Sequence, residues 1–241
     1  MAITIRKANM GKINYNVGKL VVMPEQNIIY HRRGLDEISI NITNNCPNSC
    51  VFCIRDHDPG WGVSNLYLKQ DPTVSEIIGA VVNEFQKLRS QNVSLPIKIK
   101  ICGYGEPILC IHELPQIVQM VNDLYPGLIW QLTTTGWPIF YIHKESYEEE
   151  MLNLHKVGVQ KIYLSLHALD AIAYQKLVRP LVYEDKAFDL AVKFARLARS
   201  ISFEVTLAFI KLKKELPKEY IENIRRFAKE LGCYYDMRPY E

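Results

Sequence analysis

From Glu37 onward, apolar residues switch back and forth between a strand period and a helix period, and that alternation limits the architecture more than any other property of the chain. Strand-like stretches lie at Glu37–Ile42, Ile97–Cys102, Leu128–Thr134, Gln160–Leu166, Ile201–Phe209 and Cys233–Met237. Helix-like stretches fall between them at Thr73–Arg89, Glu113–Leu124, Glu145–Val157, Asp170–Leu177, Glu184–Arg199 and Pro217–Leu231. The first shows the logic: Val74, Ile77, Ile78, Val81, Val82 and Phe85 share one helical face. Thr73, with Glu76 three residues on, reads as a capping box. Pro217 suits a first helical turn and Gly232 a C-terminal stop. Alternating β and α units imply a parallel sheet covered by helices. Right-handed crossovers reduce the choice to an open doubly wound sheet or a barrel, and periodicity does not separate the two. In both, ligands gather beyond the C-terminal ends of the strands.

The first 36 residues read differently. Lys12–Val17 and Lys19–Met23 flank Gly18, Pro24–Asn27 suits a turn, and Ile28–Tyr30 follows as a third short strand. The expected organisation is an N-terminal β extension over 1–36 and a core domain over 37–241.

Hydrophobic residues at 48% and charged residues at 23% fit a globular chain with a sizeable core. A formal charge of +3 is too small to argue for a nucleic-acid or membrane partner on electrostatics alone. No apolar run is long enough to cross a bilayer, and Met1–Met10 lacks the apolar stretch of a secretory signal, so the expected location is the cytoplasm with no membrane partner. Of six cysteines, three crowd into the stretch Cys46-Pro47-Asn48-Ser49-Cys50-Val51-Phe52-Cys53. Core stability needs no disulfides in a reducing compartment, so this crowding points to metal.

Cys46, Cys50 and Cys53 follow the first core strand, which puts the thiols at its C-terminal end. Thiolates are the usual ligands of iron–sulfur clusters. A short loop carrying three of them can hold three irons of a cubane and leave the fourth open. A structural zinc site would ask for a fourth closing ligand, and His57 is the nearest residue of the right type. A second run, Cys102-Gly103-Tyr104-Gly105-Glu106-Pro107, closes the next strand, where glycines let backbone approach a ligand. Thr133-Thr134-Thr135-Gly136 and Ser165-Leu166-His167-Ala168 close the two after that, with hydroxyls and an imidazole able to hydrogen-bond a ribose or a carboxylate.

The C-x3-C-x2-C spacing, with Phe52 before the last cysteine, resembles the signature of the radical S-adenosylmethionine (SAM) superfamily. Gly103–Pro107 resembles the same family's Gly-Gly-Glu-Pro motif in its Gly-x-Gly-Glu-Pro form. The resemblance spans about residues 37 to 239 and implies an α/β fold, a partial (β/α)6 TIM-like barrel. It implies a [4Fe-4S] cluster on Cys46, Cys50 and Cys53, with S-adenosyl-L-methionine chelated to the open iron. Reductive cleavage of SAM would then give a 5′-deoxyadenosyl radical for hydrogen abstraction. By the same resemblance Gly103, Tyr104, Gly105 and Glu106 would serve the methionine end of SAM, Thr135, Ser165 and His167 its polar groups, and Phe52 the adenine. An electron donor such as flavodoxin or ferredoxin is implied as a partner. Arg55 and Arg179 can pair with the SAM carboxylate or make structural contacts. Cys102, Cys110 and Cys233 read as small core residues, with Cys102 expected close to the site.

Within the superfamily, the cysteine loop, the Gly-Tyr-Gly-Glu-Pro form and the closing Arg238-Pro239-Tyr240 look like the TatD-linked radical SAM proteins. Ser165-Leu166-His167 is similar to the ribose-binding stretch of radical SAM RNA adenine methyltransferases, in which Cys233 would stand for a methyl-accepting cysteine. The first 36 residues are short for their RNA-contacting domain. An open barrel mouth suggests closure by a macromolecular substrate, or by the N-terminal strands and the loop around Trp61 over a small one. A non-catalytic zinc- or iron–sulfur-binding module is the alternative from a different class.

Overall fold

The computed structural model describes residues 27–31, 36–56, 66–212 and 215–239, with strand pairing also described at 3–4 and 14–15. Lys19–Met23, His57 and Trp61 lie outside the described residues. Two short strands, β1 (Ile3–Thr4) and β2 (Asn14–Tyr15), pair antiparallel as a sheet of their own. The strand expected at Lys12–Val17 is thus present as β2, and β1 has no counterpart among the expected elements.

The main sheet has seven strands in the order β3 (Ile29–Tyr30), β4 (Glu37–Ile40), β5 (Lys98–Ile101), β6 (Ile129–Thr134), β7 (Val159–Ser165), β8 (Glu204–Lys211) and β9 (Tyr234–Pro239). Only β3 is antiparallel, and β4 to β9 run parallel in sequence order. Each parallel strand neighbours the one before it, so the sheet winds in one direction. Among the described residues no pairing joins β9 to β3 or β4, which leaves an open partial barrel. The last strand of the N-terminal extension therefore belongs to the same sheet as the core, as its edge.

Helices α1 (Val74–Ser90), α2 (Leu114–Leu124), α3 (Ile139–Ile142), α4 (Tyr147–Lys156), α5 (Ala171–Val178), α6 (Ala187–Ser200) and α7 (Lys218–Glu230) connect the strands, with a 3-10 turn at Pro107–Cys110. The expected capping box forms: Glu76 N–H donates to Thr73 Oγ1 at 3.3 Å and Thr73 N–H to Glu76 Oε2 at 2.6 Å. Asp170 caps α5 by accepting from Ala173 N–H at 2.8 Å. The expected strand at Ile201 begins later, at Glu204. α6 runs on to Ser200, Ser202 turns the chain at φ 81°, and Phe203 N–H bonds back to Ala198 C=O at 3.0 Å.

The strands are two-faced. Ile38, Ile40, Ile99, Ile101, Trp130, Leu132, Ile162, Leu164, Val205 and Leu207 are buried in one continuous core with residues of α1, α2, α4, α6 and α7. The alternate residues Glu37, Ser39, Lys98, Lys100, Gln131, Thr133, Tyr163 and Ser165 face the lumen and line its cavity. Parallel strands covered on both sides read as unbroken apolar runs. Here the second side is polar, so the barrel interior is a place for a ligand rather than a packed core.

Candidate functional site

The lumen opens at the C-terminal ends of β4 to β7 into a cavity of about 630 Å³. Its wall includes Cys46, Phe52, Cys50 and Cys53 from the loop after β4, Gly103, Tyr104, Gly105 and Glu106 after β5, Thr135 after β6, and Ser165 and His167 at the end of β7. The parallel sheet alone brings these distant segments together, because every βα turn emerges at the same edge.

The cysteine loop is anchored at both ends. Ser49 and Val51 N–H donate to the Arg179 and Leu177 carbonyls, and Leu181 N–H to Pro47 C=O, each at 2.9 Å. Asn48, 2% exposed, is its internal anchor. Its Nδ2 reaches Thr135 Oγ1 at 3.4 Å and Cys46 Sγ at 3.6 Å, and its Oδ1 accepts from Trp137 Nε1 at 3.2 Å. Arg55 Nε donates to Cys53 Sγ at 3.1 Å, and its other nitrogens reach the Asn44 and Asn48 carbonyls at 3.5 and 3.3 Å. Burial weakens the Arg55 charge, yet its bond to the Cys53 sulfur more than compensates and holds its pKa above the usual value. Arg179, in contrast, contributes its backbone, taking φ 50° at the end of α5, and its side chain is exposed away from the cavity.

Burial, then the Glu106 charge, pushes the Cys46 thiol up to about 11, and burial pushes Cys50 higher still. Without a metal these groups are protonated at neutral pH, and metal binding would displace the protons. A structural zinc ion asks for four closing ligands, whereas a loop offering three thiolates suits three irons of a cubane and leaves the fourth open, so the chemistry of the donor set fits an iron–sulfur cluster. The buried Tyr174 hydroxyl has no hydrogen-bond partner among the described residues, and burial, then the charges of Cys50, Glu106 and Cys46, holds its pKa well above the usual value.

Two glycines shape the turn after β5. A Cβ on Gly103 would fall 2.0 Å from Asn41 Oδ1, and one on Gly105 would fall 2.3 Å from the Thr43 carbonyl oxygen. Asn41, fully buried, spans the gap: its Oδ1 accepts from Tyr104 N–H at 3.3 Å and its Nδ2 donates to Leu66 C=O at 2.6 Å. The Glu106 carboxylate turns onto the protein itself. It accepts from Thr134 Oγ1 at 2.5 Å, Thr135 Oγ1 at 2.6 Å, Thr135 N–H at 2.8 Å and Ile108 N–H at 3.2 Å. Burial raises its pKa and these four donors pull it back. Thr134 Oγ1 also accepts from Gly136 N–H at 2.8 Å, so its own proton is left to donate to Glu106. Glu106 therefore joins the turn after β5 to the turn after β6 and sets the position of both.

His167 is 6% exposed and adopts φ 60°, an uncommon conformation for a residue with a side chain. Its backbone N–H is tied to Ala208 C=O at 2.9 Å. Its ring meets Phe52 edge to face, centroids 4.6 Å apart, and its Nδ1 is buried without a partner. Burial, then the Arg238 charge, lowers its pKa to about 3, so the imidazole is neutral. A left-handed backbone and an open ring nitrogen at the cavity wall make His167 a candidate ligand contact.

Deeper in the lumen, Glu37 bridges Lys98 at 3.1 Å and Lys100 at 2.6 Å. Burial would raise the Glu37 pKa, but the two ammonium groups outweigh it and hold the carboxyl below the usual range. Tyr163 donates to Asp236, and Arg238 lies 5.8 Å over the Tyr163 ring. The residues missed by sequence reasoning are thus Asn41, Asn48, Tyr174 and this charged floor. Cys102 Sγ lies 3.1 Å from the Tyr30 hydroxyl, while Cys110 and Cys233 are half-buried free thiols outside the cavity.

The pattern of the Radical SAM superfamily matches residues 40–228. The chain is 27% identical over 200 residues to GTP 3',8-cyclase of Aquifex aeolicus, covering 83% of this chain and 55% of that protein. It is 25% identical over 167 residues to GTP 3',8-cyclase of Psychromonas ingrahamii, covering 69% and 43%. The chain thus spans about half the length of these relatives. Among solved structures, Streptococcus suis SuiB bound to precursor peptide SuiA matches with a TM-score of 0.58 at 16% identity, over 87% of this chain and 40% of that one. Methylornithine synthase (PylB) matches with a TM-score of 0.57 at 15% identity, over 85% and 53%. These structures share the fold, and the pattern match, over most of the chain and including all three clustered cysteines, settles the family: the chain belongs to the radical SAM superfamily.

Proposed function

We propose that the protein cleaves S-adenosylmethionine reductively and uses the resulting radical on a small anionic substrate held in the barrel lumen. The enzyme class and its cofactors, a [4Fe-4S] cluster and SAM, follow from the family. What is proposed is the assignment of residues and the substrate class. Cys46, Cys50 and Cys53 would hold three irons. Once bound there, a reduced cluster would supply the single electron that splits SAM into methionine and a 5′-deoxyadenosyl radical, which would take a hydrogen atom from substrate and leave as 5′-deoxyadenosine.

The chain's own residues do the rest. The backbone of Gly103–Glu106, brought close by its two glycines and fixed by Asn41 and Glu106, would present polar groups to the methionine end. Thr135, its hydroxyl proton engaged by Glu106, would act through position. Ser165 and the unpartnered Nδ1 of His167 would meet the ribose, and Phe52, already against His167, would flank the adenine.

The substrate class rests on the lumen floor. At the deep end Lys98 and Lys100 face a single carboxylate, Glu37, while Arg238 and Asp236 balance each other nearer the mouth, so the depth of the lumen carries one positive charge more than negative. The matched relatives are named for a nucleoside triphosphate, which is anionic. A flavodoxin- or ferredoxin-type protein would deliver the electron. The TatD-linked subgroup and a cytoplasmic location remain part of this reading, and no described helix is long and apolar enough to cross a membrane.

The observation that carries the reading is the anchored trio of half-buried thiols lining the mouth of a polar lumen. The test is anaerobic reconstitution with iron and sulfide, then reduction with SAM present. About four irons and four sulfides per chain are expected, with 5′-deoxyadenosine formed, and both lost in Cys46→Ala/Cys50→Ala/Cys53→Ala. One zinc and no sulfide would instead support a non-catalytic module.

A further inference from the structure

We propose that His112, His143 and Glu150 form a second metal site, for a divalent transition ion of zinc's class, on the helical layer outside the barrel. One ligand atom from each lies within 4.8 Å of the others. They come from three separate segments: His112 from the turn between Pro107–Cys110 and α2, His143 from the end of α3, and Glu150 from α4. None of them lines the lumen cavity.

An ion pair alone does not account for the arrangement. His112 Nδ1 and Glu150 Oε1 are 2.6 Å apart and complete as a pair. Yet His143 is packed against them with its ring edge-on to that of His112, centroids 4.3 Å apart at 86°. His143 is 8% exposed, and its Nε2 is buried with no hydrogen-bond partner among the described residues. An unanswered ring nitrogen beside a carboxylate and a second imidazole is what a metal centre lacks only its ion to complete.

The donor chemistry fits. Two imidazoles and one carboxylate make a recurrent zinc set that leaves a fourth position for water, and the exposed side of His112 supplies access. Bonds of about 2.0–2.2 Å to nitrogen and oxygen hold ligand atoms about 3.3–3.5 Å apart. The 2.6 Å His112–Glu150 bond would open by under about 1 Å, with the metal replacing the proton between them. The ion would join the segment after β5 to the segment after β6 from outside, while Glu106 joins the same two from within.

The test uses the cluster-loaded protein, incubated with one equivalent of zinc, passed over a mild chelating resin and analysed for zinc and iron. About one zinc per chain beyond the iron is expected, falling at least tenfold in His143→Gln and in His112→Gln with iron unchanged. The Cys46→Ala/Cys50→Ala/Cys53→Ala variant, titrated with Co²⁺, should give tetrahedral visible absorption that His143→Gln abolishes. Zinc below a tenth per chain in the parent protein, or zinc content unchanged by both substitutions, overturns the proposal. Because the readout is metal content, it stands apart from SAM cleavage.

Discussion

Gly105→Ala isolates the contact between the turn after β5 and the chain leading into the cysteine loop. The new methyl carbon would sit 2.3 Å from the Thr43 carbonyl oxygen and 2.7 Å from that of Asn45, against 3.4 Å for ordinary contact. Both obstacles are backbone, so no side chain can swing aside, and the two segments must part by about 1 Å. Overpacking of this kind costs about 1–3 kcal/mol. The Glu106 N–H to Asn45 C=O bond, 2.8 Å long, would be stretched as well, adding about 1 kcal/mol. The expected loss is about 2–4 kcal/mol in urea unfolding of the iron-free protein, and a misplacement near 1 Å predicts about a 10²-fold slower SAM cleavage. Gly79→Ala is the control, since its methyl meets nothing within 4 Å on α1 and should stabilise by about 0.5–1 kcal/mol. A Gly105→Ala protein that unfolds at the parent's urea midpoint and forms 5′-deoxyadenosine within twofold of the parent rate would refute the argument.

Asn48→Ala removes the amide that ties Cys46 to Thr135 and leaves Trp137 Nε1 buried without its partner, a cost of about 1–3 kcal/mol. It also removes a donor that lowers the Cys46 pKa, so slower iron uptake at neutral pH should accompany the stability loss in a reconstitution time course. His167 stays neutral in the fold down to about pH 3 but charges near 6.5 when unfolded, so the unfolded state binds the extra proton between those values. Stability of the iron-free protein should therefore fall as pH drops below 6.5, by up to about 1.4 kcal/mol per unit, and His167→Gln should flatten that slope in unfolding curves. Lys100→Met is expected to leave uncoupled SAM cleavage intact and to cost under about 1 kcal/mol, because its pair with Glu37 is partly exposed. It should weaken turnover of an anionic substrate at least tenfold; equal turnover in both proteins would shift attention to a macromolecular substrate.

Most of the barrel was legible because each βα unit carries its own signal: a β-branched run, a turn residue and a 3.6-residue apolar stripe. Element ends were less so. Ile201 suits a strand by composition, but α6 finishes its last turn there and Ser202 reverses the chain. α3, with four residues, is too short to show a period, and it hid the position of His143. In the site, the cysteines and glycines are visible because their chemistry or backbone freedom has few other uses. Asn41 and Asn48 are not, because a buried asparagine acts through partners far away in sequence, Leu66 and Tyr104 for one, Thr135 and Trp137 for the other. One signal was available in Glu37, Ser39 and Asn41 alternating with Ile38, Ile40 and Ile42: a parallel strand with a hydrophilic side announces a wet interior. Glu106 shows the opposite limit, since its motif drew attention to SAM whereas its carboxylate is engaged by Thr134, Thr135 and Ile108.

The two-sided strands divide labour within single segments. Cohesion resides where isoleucines and leucines meet the helices, whereas selectivity resides one residue away, on the side turned to the lumen. Evolution can therefore rewrite Lys98, Lys100, Gln131 or Tyr163 for a new reactant with little penalty to folding, as long as their outward neighbours Ile99, Ile101, Leu132 and Ile162 are preserved. A scaffold so partitioned is suited to diversify its chemistry faster than its shape.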